Sequence, residues 1–485
     1  MEKDNRRSDL LSPKDSVNTG LNLKHLSGIW IGKLIMGASR LTGRGGTTLP
    51  GRAALRFSPG ILAYLSRQLA QGSVLVTGTN GKTTTASLLT GILRQAGYQC
   101  LHNQSGSNMS WGVASALIGA GAWSGKLPGD IGIMEVDEGA FPAVVRELKP
   151  RGAVVTNIYR DQLDRFGEID HVQKTILSGL DCLPPDSFQV LNADDPSLTD
   201  MRSDRPGRTW YYGLELELPP DLFRNTAQDI KSCPHCHDQL FYERIYFAHL
   251  GRYRCQKCNF RRPKPDVTLN KRFFTADGRT VIELRLQGKS LKLDYPLMGA
   301  YNLYNALAAA TCATALGVPA DLIGAALTKA APSFGRMERF SMDGRTLIMA
   351  LIKNPAGANE VLRTLIEKEG KIHLLVAIND KIADGTDISW LWDADFEQLK
   401  SIRERLAPVV VSGQRAWEMV LRLKYAGLDS AGITLEESPK QAILKALQLT
   451  PPGEILFIMP TYTAMFDLRR ALNALGVAKP YWEGP

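Results

Sequence analysis

A strand-like run, a glycine-rich turn and a helical pattern follow one another in SVLVTGTNGKTTTASLLTGILRQAG, residues 73–97. This order suits a phosphate-binding loop, because a helix N-terminus and the turn before it present unpaired backbone N–H groups to an anion. Gly78 and Gly81 let the backbone bend tightly around phosphate oxygens, with Thr79 and Asn80 between them. Lys82 supplies a positive charge for the β- and γ-phosphates of a nucleotide, and the Thr83 hydroxyl can ligate magnesium, with Thr84 closing the loop. The common GxxxxGKS/T pattern would need glycine where this chain has Val76, so the loop is a shorter GTNGKT variant.

Carboxylates cluster at the ends of the following strand-like runs. GIMEVDEGAF sets Glu135, Asp137 and Glu138 at the carboxyl edge of an expected sheet, where open α/β folds bind ligands. Strand alternation sends Glu135 and Asp137 to one side, and Glu135 is the residue expected on magnesium. TNIYRDQLDRFGEID gathers Asn157, Asp161 and Asp164 at the exit of the next run. Asp194 and Asp195 in NADDP follow another, where helix capping is an equally good reading.

A second chemistry is written in the cysteines. Cys233 and Cys236 in CPHC, then Cys255 and Cys258 in CQKC with eighteen residues between the pairs, have zinc-ribbon spacing, with two knuckles giving four thiolates to one ion. Four cysteine ligands leave no coordination position for water, so such a zinc is structural, holding a small insert with little core of its own. Cys100, Cys182 and Cys312 form no nucleophile motif, although Cys100 lies two residues from His102; buried small hydrophobes are the expectation. The chain is therefore expected to carry no cysteine nucleophile of its own.

The elements that must position these groups are α/β in style. SVLVTG, IGIMEVD, GAVVTNI and SFQVLNA alternate with helical patterns, and TLIMALI, IHLLVAIND, APVVVSG and EILFIMP repeat the style after Gly335. The reading is an N-terminal extension and helix over 1–50, an ATP-binding domain over 51–335 with the cysteine module inserted at 225–265, and a second α/β domain over 336–485. Length supports two or three domains, since 485 residues exceed one ordinary core. Hydrophobic residues at 44% and charged residues at 22% exclude a mainly disordered chain or a polytopic membrane protein. The formal charge of +9 permits an anionic partner without choosing one. Residues 1–16 lack the apolar core of a signal peptide, and cysteine usage suits a reducing compartment. In the apolar stretch Leu21 to Leu41, Lys24, His25, Lys33 and Arg40 interrupt any membrane span; a helix packed on its own domain is expected, with peripheral membrane contact as the alternative.

GTNGKTTT, Glu135, NIYRDQLD, GAYNLYNALAA and FGRMERF together resemble the central ATPase domain of the Mur ligases and folylpolyglutamate synthases. The likeness narrows with KNPAGANEVLR, INDKIADGTDISWLWDADFE, SGQRAWEMVLRLKYAG and PTYTAM, which are similar to the C-terminal domain of the MurT family, the synthetase subunits of lipid II isoglutaminyl synthases. The resemblance covers nearly everything from Leu21 onward. It implies a Mur ligase-type α/β ATPase domain with the inserted four-cysteine zinc ribbon and a Rossmann-like C-terminal domain. It also implies an asparagine, Asn302 or Asn305, against adenine and Arg336 at the domain junction reaching nucleotide phosphate. Two departures are informative: only about seventy residues precede the loop, too few for the UDP-binding domain of ordinary Mur ligases, and Asp161-Gln162-Leu163-Asp164 stands where those enzymes read DHLD. The carbamylated lysine of many Mur ligases has no assigned counterpart.

The activity implied is ATP-dependent amidation of the α-carboxylate of D-glutamate in the lipid II stem peptide through an acyl phosphate, with ATP, Mg2+ and a structural Zn2+, at the cytoplasmic face of the membrane. Ammonia would come from a GatD-like glutaminase subunit bringing a cysteine and a histidine, in a heterodimer or larger complex. An aspartate of this chain would complete the triad, Asp387 first, then Asp393, with Asp384 and Asp395 behind. The competing enzyme reading is an amino-acid-adding Mur or folylpolyglutamate-type ligase. The competing reading of another class is a zinc-ribbon P-loop protein that binds nucleic acid through Arg252, Arg254, Lys257, Arg261 and Arg262.

Overall fold

The computed structural model describes residues 23–41, 48–103, 108–159, 169–200, 208–217, 230, 232–274, 280–297, 299–331 and 336–478. The chain forms two compact units, the first comprising 1–159, 169–296 and 301–330 and the second 160–168, 297–300 and 331–485.

The first unit is built on β1 (Ser73–Thr77), β2 (Cys100–His102), β3 (Ile131–Glu135), β4 (Gly152–Val155), β5 (Phe188–Asn192), β6 (Thr209–Leu214), the hairpin β7 (Leu240–Phe247) and β8 (Leu250–Cys255), and β9 (Val267–Phe274), β10 (Thr280–Leu286) and β11 (Lys289–Tyr295). Nine of these form one sheet in the order β11-β10-β9-β6-β5-β4-β1-β3-β2. From β2 to β9 neighbouring strands run parallel, and β10 and β11 finish the sheet as antiparallel strands. β1, β3, β4 and β5 are buried at every position, as continuous apolar strands covered on both faces should be. β1 lies between β3 and β4, so its carboxyl end opens into the middle of the ligand-binding edge.

Helix Leu23–Leu41 packs on the first unit through Leu26, Gly28, Ile29, Gly32 and Met36. A Cβ at Gly28 would strike Ser58, and one at Gly32 would press on Ile118, so the two glycines set how closely this helix approaches its neighbours.

The second unit holds a six-stranded sheet of β12 (Arg336–Met342), β13 (Arg345–Ala350), β14 (His373–Ala377), β15 (Val409–Ser412), β16 (Ile433–Leu435) and β17 (Ile455–Pro460). Its order is β12-β13-β17-β14-β15-β16, antiparallel at β12–β13 and parallel elsewhere. Two apolar clusters cover its faces, one centred on Phe396, Phe457 and Leu362, the other on Leu347, Ile458 and Leu468. Because β17 is inserted between β13 and β14, the segments leaving β14 and β17 meet at one carboxyl edge.

Candidate active site

Gly78 and Gly81 both take positive φ, 119° and 87°. A Cβ at Gly78 would run into Thr156 Oγ1 and the Asn157 carbonyl, and one at Gly81 into the Asn305 side-chain amide, so only glycine fits either place. The turn is laced to the segment leaving β4: Thr79 N–H donates to Asn157 O (2.9 Å), Asn80 N–H to Asn157 Oδ1 (2.9 Å), and Thr156 Oγ1 and Asn157 Nδ2 to Asn80 O (2.7 and 3.0 Å). Helix Lys82–Gln95 begins immediately after it, with no side chain capping its first N–H groups. A fourteen-residue helix with an uncapped start aims its dipole and donors at the loop mouth.

Lys82 is buried, and its Nζ donates to Gly78 O (2.5 Å), Thr79 O (3.2 Å) and both oxygens of Glu138 (3.2 Å). Glu138, one of the three acids that follow one another at the exit of β3, is thus the counter-ion of the loop lysine. Glu135 ends β3 in register with Val76. Its backbone exchanges two 2.8 Å hydrogen bonds with the Asn103 side chain, and its Oε2 is buried without a hydrogen-bond partner. Thr84 Oγ1 is likewise buried and unpartnered, and Thr83 is half-buried at the helix start. Burying a carboxylate oxygen unsatisfied is costly unless a cation meets it, so this donor set fits magnesium.

Asn302 and Asn305 are both buried in the first turns of helix Ala300–Ala315. Asn305 accepts a 3.4 Å hydrogen bond from Thr85 Oγ1 and donates to Asn302 Oδ1 (3.2 Å), bringing the pair against the loop helix. Arg336 starts β12; its side chain, together with Asp161 and Asp164, lies outside the described residues.

The four predicted cysteines converge, with all their sulfurs within 4.8 Å of one another and Cys233–Cys258 and Cys236–Cys255 at 3.6 and 3.5 Å. A tetrahedral zinc with Zn–S of about 2.3 Å separates its sulfurs by about 3.8 Å, so the donor set fits that ion. Cys255 Sγ accepts N–H bonds from Lys257 and Cys258 (both 3.4 Å), which turn the second knuckle toward the first.

The hairpin of this module docks on the NADDP segment. Gly251 N–H donates to Asp194 O (2.9 Å), the Tyr253 hydroxyl reaches Ala193 O (3.2 Å), and Tyr159 packs on Phe247 and His249. Asp195 caps the following turn, accepting from Ser197 N (3.0 Å). Asp194 is wholly buried and takes bonds from Leu214 N, Tyr304 Oη and Arg262 Nε (2.8, 2.8 and 2.6 Å). Burial pushes its carboxyl pKa upward against the pull of Arg262, so the guanidinium is what keeps the charge tolerable. Arg262 also bonds Glu215 (2.8 Å), which makes it a buried strut and not a free cation. Replacing Arg262 by leucine should cost about 3–5 kcal/mol by stranding Asp194, visible as a lower urea midpoint.

Burial pushes the Cys100 thiol up to about 11, raises Cys312 further, and holds the His102 imidazole down at about 4. Neither thiol is poised for thiolate chemistry near neutrality, and the imidazole is held neutral there.

In the second unit, Asp384 follows β14 and is locked in place. It accepts from Thr463 N (2.7 Å), Thr463 Oγ1 (2.5 Å) and Lys381 N (3.1 Å), joining the β14 exit to PTYTAM. Asp387 is exposed; the Ser389 backbone N–H donates to its Oδ1 at 2.8 Å and holds its pKa below the ordinary carboxylate range. Asp393 is exposed on helix Trp390–Asp393, and Asp395 is half-buried with its pKa raised by that burial.

The family description "MurT ligase C-terminal" matches residues 351–465 and "Mur ligase middle domain" residues 76–239. The chain is 35% identical over 95% of its length, and 99% of the relative's, to the lipid II isoglutaminyl synthase (glutamine-hydrolyzing) subunit MurT of Streptococcus pneumoniae. Identity is 33% over 93% of this chain and 98% of the relative for the same subunit of Staphylococcus aureus. Among solved structures, a pseudomurein peptide ligase type C from Methanothermus fervidus superposes with a TM-score of 0.63 at 24% identity, covering 83% of this chain and 78% of that one, which shows a shared fold.

Proposed function

This chain belongs to the MurT family, and from that premise we propose that it is the synthetase subunit of a lipid II isoglutaminyl synthase, activating the D-glutamate α-carboxylate of the stem peptide with ATP and passing it to ammonia. The observation that carries the reaction type is the buried, unpartnered Glu135 oxygen beside a phosphate loop whose lysine is fixed by Glu138. Residues 78–84 bind the nucleotide phosphates through backbone N–H groups, and Lys82 offsets charge on the transferring phosphoryl. Magnesium, when bound, would be held by Thr83 and Glu135 and would neutralise charge between the phosphates. Asn302 and Asn305 serve the nucleotide side of the pocket. The insert is a zinc ribbon and the C-terminal sheet a Rossmann-like domain. An intact zinc site predicts about one zinc per chain by elemental analysis, and Cys255→Ser should lower that content and expose the insert to proteolysis.

Nitrogen comes from a GatD-like glutaminase subunit. Burial raises the Cys100 and Cys312 thiols and the four ribbon cysteines face one another, whereas Asp387 stands exposed with its pKa lowered, as suits a carboxylate that orients a partner's histidine. The same domain carries an exposed aromatic stripe: Trp417, Leu421 and Tyr425 at four-residue spacing on helix Ala416–Tyr425, with Trp392 edge-on to Tyr425 at 5.5 Å. Such a patch fits a protein partner better than solvent. The site of action is the inner membrane face, where the lipid-linked substrate lies; among the described residues no helix is long and apolar enough to cross a bilayer.

The test is ADP release with lipid II plus ammonium chloride against folate plus glutamate. Turnover only with the first pair is expected. Turnover with the second would make this an amino-acid-adding ligase, and salt-sensitive nucleic-acid binding without lipid II-stimulated ATPase would support the ribbon reading.

A further inference from the structure

Helix Leu23–Leu41 is apolar on two sides. Its inner side is the packed face already described. On the outer side Leu23, Trp30, Leu34 and Leu41 recur at spacings of seven, four and seven, which places them in one line along the helix, and they are 76, 44, 64 and 91% exposed. Trp123 extends the line: it is 56% exposed, its carbonyl accepts from Trp30 Nε1 at 2.8 Å, and Lys33 Nζ stands 5.6 Å from its ring centre. Helix Leu49–Phe57, which packs beside this helix, adds Leu49 and Phe57, both 59% exposed, with Arg52 and Arg56.

The segment that supplies this surface carries charge of one sign. From Ser16 to Gly129 the sequence contains ten lysines and arginines and no aspartate or glutamate, although the chain's own average would put about eleven acids there. The rest of the chain carries 48 basic and 49 acidic residues, so the whole net charge resides in this segment.

Scattered exposed leucines need no explanation, but a line of leucine and tryptophan carried on an acid-free, cationic segment does. A second copy of this face would be repelled by like charge. Indoles that keep one polar edge, leucines and flanking lysines suit the headgroup boundary of a bilayer, where apolar insertion and attraction to anionic lipid add. We infer that the outer side of helix Leu23–Leu41, with Trp123, seats this protein on an anionic phospholipid surface. The purpose rests on the proposed function, since a lipid-carried substrate must be met at a membrane, but the binding itself needs no lipid II.

The test is co-sedimentation of the full chain with vesicles of phosphatidylglycerol and phosphatidylcholine, or phosphatidylcholine alone, free of lipid II. Binding should require the anionic lipid, weaken with salt, and fall about tenfold or more in L34D/W123Q, which retains its melting temperature and its turnover of detergent-dispersed substrate. Brominated lipid should quench wild-type tryptophan fluorescence and lose that effect in W30F/W123F. Equal binding to both vesicle types, unchanged binding by L34D/W123Q, or a dimer in solution that L34D dissolves would each overturn the inference. Vesicle binding without amidation would sink the proposed function and leave this surface standing; amidation in detergent without vesicle binding would do the reverse.

Discussion

Lys82→Ala is expected to lower the turnover number for lipid II- and ammonia-dependent ADP formation about a thousandfold, since one charge aimed at a transferring phosphoryl in a dry site carries that order of effect. The variant also takes from Glu138 its ion pair with the Lys82 ammonium, so some loss of stability accompanies it. Lys82→Ala with Glu138→Gln separates the two effects: the double variant should recover the melting temperature and stay inactive. Glu138→Gln alone keeps the cation but loosens its orientation, and about a tenfold loss in turnover is expected. A Lys82→Ala enzyme turning over at the wild-type rate would remove the loop from the mechanism.

Asp387→Asn should divide the two nitrogen sources. With the glutaminase subunit present, glutamine-supported amidation should fall about a thousandfold or more, because an asparagine no longer stabilises the imidazolium of the partner's histidine. Ammonium-supported amidation by the same variant should be unchanged, as Asp387 is exposed in the second unit and holds its own turn through Ser389. Asp393→Asn is the control on the neighbouring exposed carboxylate. If it shows the split and Asp387→Asn does not, the triad role moves six residues along. Asp384→Asn is a different experiment: by loosening the bond to Thr463 it should lower stability and both activities together.

The local elements were legible because each is specified by neighbours in the chain. Eight expected strand runs, from SVLVTG to EILFIMP, all form strands, since continuous β-branched runs between helical patterns have one way to bury both faces. The bend at Gly78 and Gly81 and the two-knuckle cysteine spacing are encoded within a few residues. Membership of the MurT family was equally readable, because long motifs in order survive as text.

What could not be read is what depends on approach between distant segments. At one strand end Glu135 was expected on magnesium and Glu138 had no assigned role. Only the fold turns Glu138 onto Lys82 and buries a Glu135 oxygen unpaired, because the chain leaves the sheet after Glu135 and strand alternation no longer governs direction. Arg262 read as one cation of a basic ribbon and is a strut clamped to Asp194, sixty-eight residues away. The four aspartates of one acidic segment differ in burial and in the donors that meet them, so that Asp384 is consumed by Thr463 while Asp387 is left facing outward. By itself, then, the sequence determined eight core strands, the loop, the cysteine spacing and the family, all local or textual properties. Partner choice among like-charged residues was decided by tertiary structure alone, because burial and distance between remote segments set electrostatic pairing and neither exists until the chain has closed on itself.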